Sequence, residues 1–364
     1  MVLAGPADDA ALRRLLREDA VAGQVTLCFE REPSYFAAAA LQGPFHQAIL
    51  ARAPDGAAVG MASRSVRELW VNGGVQPVGY LSQLRASGRF AWGAGRAAVL
   101  GRAFDFVRSL HADGRAGFYL VSIVAGNTPA ERLLLAGLPG YPLLHPLGGL
   151  STYAVAARPG RLSLPAGLRL IQGSVDHVAE IVHCLARNGA RRQLAPGWQA
   201  SDLSGAAALP GLTPDSFWLA LAGGRVVGCA ARWDQRSVKQ TIIRGYGGFL
   251  RRARPVLNRI GRLGGWPALP PPGAGLRLAY ASHIAVDDDD PQVFGALFGT
   301  LRRAAAARGD DWLVLGLPAG HPWATQVRRY RHVAYPSRLY AAAWDASALP
   351  ALADRAAWPE IAVL

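Results

Sequence analysis

Cysteine is scarce in this chain, and its placement excludes two classes at once. Cys28, Cys184 and Cys229 are odd in number, widely spaced and each set in apolar sequence. That pattern gives no disulfide framework and no metal-ligand spacing, so the three read as reduced core thiols and no metal site is expected. Long apolar runs are missing too: none reaches the roughly 18 to 20 residues that a membrane span requires. The first residues, Met1 to Asp9, carry no basic stretch ahead of an apolar one, so no secretory signal is read there. Together these absences lead to the expectation of a soluble, cytoplasmic protein. Lysine is almost absent as well, Lys239 being the one instance, so a net charge of +14 rests on arginine. Two readings of that charge stay open. One is a composition rich in Arg, Ala, Gly and Pro; the other is a demand for anion binding, by a phosphate-rich cofactor, a nucleic acid or an anionic membrane face.

What is present in quantity is repetition. Residues 47–64 read as two apolar runs about a turn at Pro54-Asp55-Gly56, and residues 218–232 repeat that hairpin about Gly223-Gly224. The halves agree again further on. A strand from Tyr80 to Ala86, a helix from Gly95 to His111, a strand from Phe118 to Ala125 and a short helix from Pro129 form the first set. Leu276 to Val286, Pro291 to Arg308, Trp312 to Leu317 and a short helix from His321 form the second. Each set closes on a strand, Leu150 to Ala156 and Ser337 to Trp344. A repeat in this order predicts two copies of one α+β domain, each a mixed, mostly antiparallel sheet flanked by helices. Residues 1–158 and 166–346 are assigned to the copies, 159–165 to a Pro/Gly-punctuated linker, and 347–364 to a C-terminal tail.

The second copy is longer by an insertion near 244–275. Its first part, from Phe249 to Leu263, is basic with apolar residues at near-helical spacing, and Pro255 reads either as an early helix position or as a break. Residues 244–262 read equally as a solvated helix packing through Leu250, Val256, Leu257 and Ile260, or as a contact for an acidic acceptor, a nucleic acid or a membrane surface.

The first copy carries the features that bear on chemistry. After the strand that starts at Tyr80 come Gln83, Leu84 and Arg85, then Arg89, Gly93, Ala94, Gly95 and Arg96 at the start of a helix. Glycines let a backbone approach a ligand, and a helix N-terminus directs unpaired amides and positive dipole at an anion. Further on, Asn127-Thr128-Pro129-Ala130 follows the next strand. This order of strands, glycine turn, helix and Asn-x-x-Ala segment resembles the GNAT acyltransferase superfamily. The resemblance implies that residues 83–96 hold the pyrophosphate and thioester of acyl-coenzyme A, acetyl-coenzyme A or a longer one. It also implies that Asn127 bonds the pantetheine arm; the residues alone equally allow Asn127 to cap the following helix. The chain departs from the family in two places. Phe90 stands where the family favours Gln or Arg, so either the turn is shifted by one residue or the phosphate grip is weaker. Leu134 stands where the family often has a tyrosine that protonates the leaving thiolate. Tyr141 lies further on and reads as a packed loop residue. Glu30 and Glu68 are candidate bases or solvated strand residues, so no catalytic residue is assigned.

The second copy has drifted. Asp287 to Asp290 occupy the place of the glycine turn, with Asp290 as helix cap and Pro291 in the first turn; this chemistry would repel a pyrophosphate. Ser282 and His283, as neighbours in a strand, are expected to face opposite sides and form no dyad. The resemblance implies an N-acyltransferase acting on a small-molecule or peptide amine. The alternatives are a non-catalytic binding or scaffold protein, or aminoacyl transfer from a charged tRNA, with nucleic acid as partner.

Overall fold

The computed structural model describes residues 1–18, 20, 23–86, 94–160 and 164–364, with backbone alone at 94–99 and 262. The first half runs β1 (Val2–Leu3), α1 (Asp9–Glu18), β2 (Val25–Glu30), α2 (Tyr35–Ala39), β3 (Phe45–Arg52), β4 (Ala58–Val71), β5 (Gly74–Ala86), α3 (Ala94–His111), β6 (Tyr119–Val124), α4 (Thr128–Leu134) and β7 (Leu143–Ala156). The second runs β8 (Leu168–Gln172), α5 (Val178–Gly189), α6 (Ala200–Leu203), β9 (Phe217–Ala222), β10 (Arg225–Trp233), β11 (Gln240–Tyr246), α7 (Gly248–Leu263), β12 (Leu278–Val286), α8 (Pro291–Ala307), β13 (Trp312–Pro318), α9 (Trp323–Val327) and β14 (His332–Ala343).

Local chemistry sets the hairpins. Asn72 and Gly73 join β4 to β5 with φ of 53° and 86°, and Gly223 and Gly224 join β9 to β10 with φ of 56° and 80°. Two left-handed residues in a two-residue loop match the twist of the flanking strands. The basic insertion forms α7 straight through Pro255, which lies inside the helix and neither starts nor breaks it.

Twelve strands form one sheet in the order β1-β3-β4-β5-β6-β14-β7-β13-β12-β10-β9-β8. Only β5 with β6 and β12 with β13 pair in parallel; every other neighbour is antiparallel. The order is palindromic about the centre, and the closing strands have changed places. β14, from the second half, lies against β6; β7, from the first, lies against β13. Leu150 faces both Pro318 and Ser337, and Ser337 faces both Val124 and Leu150. A pseudo-two-fold axis therefore passes through the β7–β14 pair.

The symmetry extends to single residues. In the first half the register against the preceding strand slips between Ser63↔Ser82 and Met61↔Arg85; in the second it slips between Ala231↔Ser282 and Cys229↔Ala285. Each slip is a bulge with one residue at positive φ, Gln83 at 54° and His283 at 52°. On the other face Arg64 of β4 is fully buried and donates to Asp113 at 2.7 and 2.8 Å, to Tyr119 Oη at 2.9 Å and to Gln47 at 2.9 Å. Arg232 of β10, in the matching register, is paired with Asp310 at 2.6 Å. The fold is two tandem copies of one α+β unit in a single sheet.

The halves also share core. Ala38 and Leu41 pack with Ile181, Leu212 and Phe217 in one cluster. Beside the main sheet, β2 and β11 form a two-stranded ribbon with one strand from each half. All three cysteines are buried thiols.

Candidate functional site

The site is built on a gap between parallel strands. β5 and β6 pair only at Gly79↔Tyr119 and Tyr80↔Leu120, yet β5 continues to Ala86 and β6 to Val124. Beyond Tyr80 the two strands diverge. Sterics fix the vertex: a Cβ on Gly79 would stand 2.0 Å from Cδ1 of buried Tyr119. The second copy fills the same contact with a different split of volume, Ala279 against Leu313, and its strands part after three pairs.

The bulge lies on the β5 lip of this gap. Gln83 and Leu84 stand opposite Ala62, and the extra residue turns the local backbone out of the ladder. Leu84 packs with Leu100, Phe104 and Tyr141 beside α3. The opposite face carries a polar layer. Tyr80 Oη reaches Ser122 Oγ across the gap at 3.1 Å, and burial pushes the phenol pKa up, so it stays protonated. Ser82 Oγ lies 2.8 Å from Ser63 Oγ and accepts from Gln42 Nε2 at 3.1 Å. Gln42 Oε1 in turn accepts from Arg31 Nη2 at 2.8 Å, and the Arg31 guanidinium sits 4.6 Å over the Tyr35 ring. Tyr35 Oη lies 3.4 Å from His46 Nε2, whose ring is held neutral by burial, its pKa depressed to about 3. Polar atoms in or beside this layer, Arg31 Nη1, His46 Nδ1 and Gln83 Oε1 among them, are enclosed with no hydrogen-bond partner among the described residues. Buried polar atoms are rarely left so unless something else binds there.

The residues singled out in the sequence are distributed as follows. Gln83, Leu84 and Arg85 end β5 on the lip of the gap. Arg89 and Gly93 lie outside the described residues. Ala94, Gly95 and Arg96 form the first turn of α3, described here by backbone. Asn127 is exposed and caps α4, its Oδ1 accepting from Ala130 N at 3.4 Å. Leu134 and buried Tyr141 pack in the cluster with Leu100 and Phe104, where the Tyr141 and Phe104 rings stand 4.8 Å apart. Glu68 is exposed on β4, and Glu30 is bound by Arg244 in the β2–β11 ribbon, which gives each a structural placement. The sequence reading missed Arg31, Gln42, Ser63, Tyr80, Ser82 and Ser122. A signal for part of this set exists, because Ser63, Ser65 and Arg67 alternate on one face of a strand whose residues are almost all buried.

The second copy's gap is filled by its own chain. Residues 347–364 are no loose tail: Ala357, Ala362 and Val363 are buried, and Ala357 pairs with Gln193. Trp358 Nε1 donates to Gly316 O at 3.0 Å, and Ile361 packs where a Cβ on Gly316 would come within 3.0 Å. Glu360 accepts the His283 main-chain N–H at 2.9 Å. A carboxylate oxygen thus sits on the amide of the bulge. The space left around His283, Ala285, Gly316 and Trp358 is about 40 Å³, room for a few waters and not for a coenzyme arm.

The reading of Ser282 and His283 as facing apart is corrected. His283 Nδ1 lies 3.0 Å from Ser282 Oγ, because positive φ at the bulge breaks the alternation of the strand. The pair is nevertheless entombed: His283 stacks on Trp198 at 3.9 Å, both residues are buried, and desolvation drives the imidazole pKa well below its ordinary value. At the α8 N-terminus Asp290 Oδ1 accepts from Gln292 N at 2.7 Å and Val293 N at 3.4 Å. Asp287 pairs with Arg187 and Arg225, and Asp289 with Arg191 and Arg192. These carboxylates are committed to arginines and a cap. Among the described residues no helix is long and apolar enough to cross a membrane.

No family model and no curated protein matches the sequence. Solved structures do match the fold. A GCN5-related N-acetyltransferase from Sphaerobacter thermophilus is 16% identical, with a TM-score of 0.52 over 81% of this chain and 79% of that one. N-myristoyltransferase from Saccharomyces cerevisiae, solved with bound myristoyl-CoA, is 13% identical with a TM-score of 0.57, covering 92% and 79% of the two chains. A conserved protein of Enterococcus faecalis described as a probable N-acyltransferase is 9% identical, with a TM-score of 0.52 and coverage of 95% and 72%. At these identities the likeness is one of fold. That fold is the GNAT fold, present twice, with the closing strands exchanged between copies.

Proposed function

We propose that this protein is an N-acyltransferase that moves an acyl group, acetyl in the simplest case, from acyl-coenzyme A to the amine of a small molecule or peptide. The observation that carries the reading is the pair of bulges. In the second copy the amide at positive φ holds the Glu360 carboxylate. Its counterpart at Gln83 has nearly the same φ; by the symmetry of the two copies its amide would face the first gap, where a thioester oxygen would take the place of that carboxylate. The GNAT fold and the myristoyl-CoA bound by the N-myristoyltransferase neighbour support acyl transfer from acyl-coenzyme A as the class of reaction.

In this reading Gln83, Leu84 and Arg85 bracket the thioester, while Arg89, Gly93, Ala94, Gly95 and Arg96 receive the pyrophosphate at the start of α3. Asn127 lies towards the pantetheine arm. The acceptor amine enters over the polar layer of Arg31, Gln42, Ser82 and Tyr80 and attacks the carbonyl directly, with no acyl-enzyme intermediate. The C–N bond forms, the C–S bond breaks, the sulfur leaves as thiolate, and the proton shed by the amine nitrogen goes to that thiolate or to solvent. The second copy, its gap filled and its α8 N-terminus occupied by Asp290, takes no coenzyme.

Calorimetric titration with acetyl-coenzyme A tests this. One site per chain is expected. Gly95→Glu places a carboxylate at the α3 N-terminus and removes a charge-assisted contact of about 1.5 to 3 kcal/mol, so affinity should fall at least about tenfold. Asp288→Asn, at the exposed start of the second copy's counterpart, should leave affinity unchanged. Tight binding that survives Gly95→Glu, or a stoichiometry of two, would sink the assignment.

A further inference from the structure

Helix α7 presents two unlike faces, and only one of them packs on the protein. Asn258 Nδ2 donates to Leu269 O at 3.0 Å, and Leu269 N donates back to Asn258 Oδ1 at 2.7 Å. Arg254 also reaches Leu269 O, at 3.3 Å. Where the helix ends, Arg331 bonds Gly264 O at 3.3 Å and Arg158 bonds Trp266 O at 3.0 Å. These contacts tie α7 and the turn after it to the body along one side.

The other side is apolar and open. Phe249, Val256, Ile260 and Leu263 expose 80%, 61%, 61% and 90% of their surface. At 100° per residue these four positions fall within a sector of about 60°, a single stripe along the whole helix. Single exposed apolar residues are ordinary; four aligned on one helix are not. Arg252 and Arg259 flank the stripe on one side and are exposed. The segment 248–263 contains five arginines and no acidic residue.

We propose that α7 is a membrane-surface anchor that lies flat on an anionic phospholipid bilayer. The stripe enters the acyl boundary, and the flanking arginines meet lipid phosphates. An apolar face bordered by cations has the chemistry of an interfacial helix. A second copy of this chain fits poorly, because two such helices would bring ten arginines together. Nucleic acid fits poorly as well: only Phe249 of the stripe offers a ring to stack on, and the aliphatic Val256, Ile260 and Leu263 that make up the rest give a polynucleotide neither charge nor stacking. The anchor acts from outside the gap between β5 and β6 and does not depend on the acyl-transfer reading.

The test is flotation of the full chain with vesicles of phosphatidylcholine alone or mixed with phosphatidylglycerol. Co-flotation with the anionic vesicles, weakening as salt is raised, is the expected result. Ile260→Gln with Leu263→Gln should reduce partitioning at least about tenfold. Arg252→Gln should reduce it about fivefold on anionic vesicles and leave residual binding to neutral ones unchanged. All the altered side chains are exposed, so thermal melting should match the parent protein. The proposal is overturned if the parent protein stays in the aqueous layer, or if neutral vesicles take it up equally. It is also overturned if the apolar variant floats like the parent, or if RNA binds the helix and displaces the vesicles.

Discussion

Expressed separately, residues 1–158 and 159–364 are each expected to lack cooperative folding, and to regain it when mixed. In the first fragment β6 would lose β14, its partner along Ser337 to Ala342, and β7 would lose both of its neighbours, β13 and β14. The second fragment would lose β7 from between β13 and β14. Each fragment then exposes unpaired strand edges at the middle of what should be a continuous sheet, the arrangement most prone to aggregation. Near-ultraviolet circular dichroism and hydrogen exchange on each fragment, and on the equimolar mixture, read this directly. A cooperative transition for residues 1–158 alone would contradict it. On the expected result, the boundary near residue 160 divides a repeat and not two folding units.

Replacing Asp113 by alanine should cost about 3 kcal/mol or more of stability, because it strands the Arg64 charge in the core. Arg64 is fully buried, and its remaining partners, Tyr119 Oη and Gln47 Oε1, are neutral. The Arg64 hydrogen bonds hold the Asp113 pKa down to about 2. A depressed carboxylate contributes in full above its ordinary range, and that contribution is lost as pH falls towards 2. The parent protein should therefore lose stability between about pH 4 and pH 2 by an amount that the variant does not show. Asp113 is partly open to solvent, which moderates the acid effect. Adding Arg64→Met should recover much of the loss, since an apolar side chain leaves no charge to satisfy. Denaturant titrations of the single and double variants decide the matter, and a loss under about 1 kcal/mol for Asp113→Ala would refute the account.

The repeat was legible because it is written in hairpins and helix lengths, which need only local information. Strands at 80–86, 276–286 and 312–317 and helices at 95–111 and 291–308 sit within a few residues of the observed elements, apart from β5, which starts earlier at Gly74. The Asp290 cap was equally plain, since a cap is chosen by its next three residues. Strand exchange was not legible. β7 and β14 have the same pattern wherever they pair, and the partner of a strand is a long-range choice. The polar layer was hidden for a related reason: Arg31, Gln42, Ser82 and Ser122 come from four separate stretches of chain. The bulges misled the alternation argument at Ser282 and His283, because one residue at positive φ reverses the face of everything after it. Pro255 misled in the other direction, for its helix carries on through it.

The exchanged strands also bear on how such a chain can change over generations. The second copy has a filled gap and a carboxylate where an anion would dock, so nothing in its own pocket would obviously be missed. Yet it lends β14 to the first half and borrows β7 in return. Deleting it would remove the neighbour that fixes β6, which is one wall of the gap between β5 and β6. Mutation in this half is free to erode ligand chemistry while the half itself cannot be discarded. Duplication with strand exchange works as a ratchet: once the copies hold each other's edges, a copy that has lost its own ligand chemistry persists as the frame of the other.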